Sequence, residues 1–99
     1  MKMYNPAHPG KVLKEFIADF TITEIAQRLG ITRVMLSRII NEKAPITPDM
    51  AIRLSQLLET SSAFWLNLQS QYDLWQLEQQ PRFEVKPLFT SETVENIVP

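Results

Sequence analysis

Arg33, Val34, Ser37, Arg38 and Asn41 are the residues whose types and spacing bear on chemistry. At about 100° per residue they share one side of a helix. Met35, Leu36, Ile39 and Ile40 occupy the other side, and the two sets do not mix. The apolar side must face a domain interior. The polar side offers two guanidinium groups, a hydroxyl, an amide and one exposed apolar residue. Arginine donates in pairs to guanine, asparagine pairs with the adenine edge, and a small apolar side chain meets the thymine methyl. These groups suit base reading and not bond making. The bland alternative is a solvated helix face, which would be the better reading of a lone amphipathic helix. What weighs against it is the order of elements around the segment.

Thr21-Ile22-Thr23-Glu24 has the spacing of a capping box, in which the Thr21 hydroxyl takes the Glu24 amide and the Glu24 carboxylate reaches back to the Thr21 amide. Ile22, Ile25, Ala26 and Leu29 then share one helical face. Gly30 stands where a left-handed residue closes a helix, Ile31 follows as an apolar plug, and Thr32 is a good N-cap for the next helix. A short helix, a glycine turn and a second helix with an outward polar face are the parts of a helix-turn-helix over residues 21–41.

The flanking elements are also helical in pattern. Pro9 suits a first helical turn, and Val12, Leu13, Phe16, Ile17 and Phe20 form a core stripe, so a first helix is expected from Pro9 to Asp19. His8 is the single histidine; with no second ligand nearby, a structural role is expected in place of a metal site. Thr47-Pro48-Asp49 starts a fourth helix with a cap, a proline and an acid at the positive pole. Its buried face is Met50, Ala51, Leu54, Leu57 and Leu58. Ser61 caps a fifth helix through AFWLNLQSQYDLWQLEQ. That helix has two apolar sectors: Phe64, Trp65, Leu68, Tyr72 and Trp75 on one side, and Leu66, Leu74 and Leu77 roughly opposite. One sector packs on the other helices and the second calls for a partner, so Trp65, Leu66, Tyr72, Leu74, Trp75 and Leu77 are the candidates for a dimer interface. Burial of both sectors within one chain is the alternative. Pro81 stops the helix. The pattern divides the chain into a domain over residues 1–80 and an extended or partly disordered tail over residues 81–99. In that tail Phe83, Val85, Leu88 and Phe89 would form a short strand, meet a partner or pack on the same chain.

Composition bounds the rest. Ninety-nine residues make one domain, and 44% hydrophobic content is ordinary for a globular chain. There is no cysteine, hence no disulfide or thiolate metal site. No apolar run approaches a membrane span and no signal-peptide pattern opens the chain, so a cytoplasmic location is expected. Net charge is −1, but it is divided unevenly: residues 1–53 carry eight basic and five acidic side chains, residues 54–99 two and six. A basic front and an acidic back suit two different partners, although ordinary variation would give as much. An enzyme is not expected. There is no cysteine nucleophile and no histidine pair, two glycines cannot form a phosphate-cradling loop, and no carboxylates converge. No cofactor is implied.

With HPGKVL, the helix-turn-helix, ITPDMAIRLS and FWLNLQSQYDLW in place, the chain resembles the HigA/VapI antitoxins, within the phage-repressor-like (XRE) helix-turn-helix proteins, over residues 8 to 77. The resemblance implies an all-α, compact five-helix phage-repressor-like DNA-binding domain with a short extended C-terminal tail. It implies a homodimer that binds double-stranded operator DNA, represses its own operon and neutralises a RelE/HigB-like mRNA endonuclease toxin. It places Arg33, Val34, Ser37 and Arg38 against bases, and Thr21, Thr23, Thr32, Asn41 and Lys43 against the DNA backbone. Glu42 departs from the pattern, standing where relatives carry glycine in an Asn-Gly-Lys turn, beside the expected phosphate path. A stand-alone regulator without a toxin, and a protein-interaction module whose helix-turn-helix no longer binds DNA, are the alternative functions.

Overall fold

The computed structural model describes residues 5–89. Five helices follow one another: α1 (Pro9–Phe16), α2 (Ile22–Leu29), α3 (Arg33–Ile40), α4 (Pro48–Leu58) and α5 (Ser62–Glu78). No strand occurs among the described residues. Each start is fixed locally. Hydroxyls of Thr21, Thr32, Thr47 and Ser61 accept the amide three residues on, at 3.0–3.2 Å. Each such cap is worth about 1 kcal/mol. Proline follows the cap in α1 and α4.

Leu13, Leu36, Ile39, Ala51, Leu54 and Trp65 are almost wholly buried and join α1, α3, α4 and α5 into one core. α2 and α4 pack on each other, α1 and α2 both pack on α3, and α5 closes over α1 and α4. The Trp65 indole N–H, deep in this core, is satisfied by the Thr60 hydroxyl at 2.8 Å. Trp65 is therefore committed inside its own chain, and its expected place at a dimer interface is corrected. Leu74 and Leu77 are exposed, while Leu66, Tyr72 and Trp75 are half-buried.

α1 is shorter than its pattern suggests. It ends at Phe16, with Ile17 as the C-cap, and not at Asp19. Leu13 and Ile17 enter the core, but Phe16 and Phe20 stay about half exposed. The stripe is wider than the face that α1 can bury, and Phe16 leans on the rim of Trp65, ring centroids 5.7 Å apart. Residues 81–89 form neither helix nor strand, and Phe83 and Leu88 are each 88% exposed. This stretch of the tail does not pack on its own chain. The expectations for residues 90–99 lie outside the described residues.

His8 is structural. Its Nδ1 accepts the Gly10 N–H at 2.9 Å, capping α1, and its ring meets Tyr72 edge-on at 4.8 Å. Burial lowers its pKa from the usual 6.5, against the opposing pull of the Glu42 and Asp73 carboxylates. The folded chain thus favours the neutral ring, whose Nδ1 lone pair makes the cap. Below pH 6.5 the unfolded chain binds the extra proton first, so stability is full above that value and falls as pH drops towards the folded pKa. Thermal melts taken downward from about pH 7 should show this loss. The loss should be smaller in His8→Asn, which keeps a capping acceptor but does not titrate; an equal pH slope in the variant would remove His8 as the cause.

Candidate nucleic-acid interface

The turn between α2 and α3 is set by hydrogen bonds that close α2. Gly30 takes φ 73°, and the N–H groups of Gly30 and Ile31 return to the carbonyls of Gln27 and Ala26 at 3.1 and 3.0 Å. This is a Schellman closure, which needs a left-handed residue. Arg53 of α4 locks it from the side. Its Nη1 donates to the Leu29 carbonyl at 2.6 Å while its Nε donates to Asp49 at 2.8 Å. At the other end of α2 only half of the capping box forms. The Thr21 hydroxyl takes the Glu24 amide, but the Glu24 carboxylate turns to Arg28 at 3.1 Å in place of the Thr21 amide.

α3 buries Leu36 and Ile39 and half-buries Ile40. Met35, expected inside, is 41% exposed at the edge of the buried face. The opposite face carries the four residues expected at bases. Arg33, Val34, Ser37 and Arg38 line one open groove of about 530 Å³, which Ile22 of α2 completes. Val34 is 70% exposed. Arg38 is braced, its Nη2 donating to the Lys43 carbonyl at 3.2 Å. A guanidinium has five N–H donors, so most of the fork stays available. Asn41 joins the same face by donating its Nδ2–H to the Ser37 hydroxyl at 3.2 Å.

The residues expected at the backbone lie around this groove. Thr32 spends its hydroxyl acceptor on the Met35 amide. Thr21 and Thr23 sit at the start of α2. There the first amides of a helix have no intrahelical acceptor and the positive pole favours a phosphate. Asn41, Glu42 and Lys43 form the exit of α3. The N–H groups of Glu42 and Lys43 return to Ile39 and Arg38 at 3.0 and 2.7 Å. This is the same closure as at Gly30, with Glu42 as its left-handed residue at φ 64°. For a residue with a side chain that conformation costs roughly 1–2 kcal/mol, part of which glycine returns as chain entropy. Glu42→Gly is therefore expected to raise stability by about 0.5–1 kcal/mol in urea melts. It should also tighten DNA binding by removing a charge beside Lys43. Lower stability would show that the Glu42 side chain contributes more than its backbone conformation costs.

Three positioning residues escaped the sequence reading. Gln69 is 7% exposed on α5; its Oε1 accepts the Ile46 amide at 2.7 Å and its Nε2 donates to Asp73 at 2.9 Å. It pins the loop that follows α3. Its signal was a polar residue between Trp65 and Tyr72 on the buried sector. Gly10 lets α1 cross the end of α3 so closely that an added Cβ would overlap the Ile39 carbonyl. Arg53 is the third, and its i,i+4 spacing to Asp49 gave no hint of the longer reach to Leu29. Among the described residues no cluster of three or more His, Asp or Glu side chains is placed to hold a metal ion, and no helix is long and apolar enough to cross a membrane.

A capped short helix, a left-handed glycine turn and a second capped helix with its polar face outward define a helix-turn-helix domain. The helix-turn-helix family model HTH_3 matches residues 14–65, more than half of the chain. Virulence-associated protein A of Dichelobacter nodosus is 38% identical, over 97% of this chain and 98% of its own length. Antitoxin HigA-1 of Vibrio cholerae is 37% identical over 87% of each chain. The solved structure of Pseudomonas aeruginosa antitoxin HigA with the higBA promoter superposes with a TM-score of 0.71 at 36% identity, covering 85% of this chain and 99% of that one. The chain belongs to the helix-turn-helix family, in its HigA-like XRE branch.

Proposed function

We propose that this chain is the antitoxin of a toxin–antitoxin pair, acting as a dimeric repressor that reads a palindromic operator with α3. The observation that carries the DNA-reading part is the grouping of Arg33, Val34, Ser37 and Arg38 on one open groove, clear of the core. Arg33 and Arg38 donate to guanine edges, Val34 meets a methyl, and Ser37 with Asn41 adds a paired hydroxyl and amide. The amides at the start of α2 and the Lys43 ammonium hold phosphates on either side and set the register. Two such helices related by a twofold axis lie about 34 Å apart, one turn of the duplex.

The dimer surface is the exposed side of α5 with Leu74 and Leu77, bordered by the half-buried Leu66; Tyr72 and Trp75 lie on the opposite sector, where Tyr72 meets His8 of its own chain. The partner neutralised is a RelE/HigB-like toxin, a reading supported by the likeness to HigA antitoxins. Its contact lies away from the reading face, toward the acidic back of the chain and the apolar residues of 83–89.

Co-expression with the neighbouring reading frame, one partner tagged, tests both halves. A stable complex that also shifts the shared promoter is the expected result. A shifted promoter with no complex would leave a stand-alone regulator. A complex with no shift would leave a protein-interaction module.

A further inference from the structure

Ile22 belongs, by sequence pattern, to the buried face of α2, and it does rest partly on the core. Yet it also lines the groove that Arg33, Val34, Ser37 and Arg38 line. It is the first residue of α2, directly after the Thr21 cap. Val34 is the second residue of α3. The groove therefore has two β-branched aliphatic walls from two different helices and a cationic rim. Both walls are stiff at χ1, and one is anchored in the core. An apolar notch of this kind among guanidinium groups gains little from guanine or cytosine edges, which carry no methyl group. In the major groove only thymine presents a methyl group.

We infer that Ile22 and Val34 together form a thymine-methyl slot, making Ile22 a specificity residue of the reading surface. This rests on the DNA-reading proposal above. It adds that the operator half-site carries an obligatory thymine, recognised by burial of its C5-methyl and not by a hydrogen bond. Burying one methyl-sized group corresponds to about a fourfold change in affinity.

The test uses a duplex selected by the full chain from a random pool, then resynthesised with deoxyuridine replacing each thymine in turn. Deoxyuridine deletes the methyl and leaves base pairing intact. At one thymine per half-site the substitution should weaken binding about fourfold, and elsewhere it should change little. With Val34→Ala, at a 70% exposed position where folding is not at stake, the penalty at that thymine should shrink towards none. Ile22→Val, which trims a single methylene and keeps the cap, should shrink it partly. Indifference to every thymine methyl would overturn the slot while leaving DNA reading intact. So would an undiminished penalty in Val34→Ala, or weaker binding by that variant with no thymine dependence, which would indicate contact with deoxyribose. Failure of the chain to select any sequence would overturn the DNA-reading proposal itself, and the slot with it.

Discussion

Arg38→Ala is expected to lower affinity for the operator by about 1–3 kcal/mol, roughly 5- to 150-fold, while binding to unrelated DNA changes much less. The asymmetry follows from where Arg38 sits. It is exposed on α3, lines the groove and is braced by the Lys43 carbonyl at 3.2 Å. A braced arginine loses little freedom on pairing with guanine, so its contact is strong and directional. Phosphate contacts, by contrast, are shared by all sequences and respond to salt. Titrations of the variant on operator and on a shuffled duplex, at one fixed salt concentration, separate the two. A parallel loss on both DNAs would place Arg38 at the backbone. The side chain is exposed and its bond to the Lys43 carbonyl lies at the surface, so the melting temperature should fall little.

The second large effect is expected at a residue far from any base contact. Gly10→Ala puts a Cβ into the carbonyl of Ile39. The obstacle is backbone and cannot swing aside, so α1 or the last turn of α3 must move. Overpacking of this kind costs about 1–3 kcal/mol, and each kcal/mol lowers Tm by roughly 4–8 °C in a domain of this size. Because Ile39 precedes Asn41, Glu42 and Lys43, the same displacement should weaken operator binding in whatever fraction remains folded. Lys11→Ala, exposed on the next position of α1, is the control and should melt as the parent does. A Gly10→Ala chain with an unchanged Tm would mean that α1 and α3 do not approach so closely.

Much of this architecture was legible because it is local. Caps at Thr21, Thr32, Thr47 and Ser61, the left-handed Gly30 and the two-sided α3 each depend on a handful of neighbouring residues. The same locality explains the grouping of Arg33, Val34, Ser37 and Arg38, since one helix carries all four. What the sequence hid are contacts between distant segments. Gln69 meets Ile46 across 23 residues, Arg53 meets Leu29 across 24, and Gly10 lies against Ile39. No periodicity encodes such pairings. Periodicity also misjudged how much apolar surface each helix can bury: Phe16, Phe20 and Met35 stay partly outside, and Trp65 goes wholly inside. Ile22 escaped for a related reason, because a residue at the first turn of a helix can serve the core and the surface at once. Glu42 was legible as a departure. Its left-handed conformation followed from the closure that the end of α3 needs, whichever residue stands there.

The measurement closest to the central claim is guanine N7 methylation protection on the DNA upstream of the gene. N7 faces the major groove, where Arg33 and Arg38 would donate. The account predicts two symmetric clusters of protected guanines, about one helical turn apart, that vanish when Arg33 and Arg38 are both replaced by alanine. Uniform reactivity along DNA to which the chain is demonstrably bound would contradict it, because α3 would then not be reading the major groove.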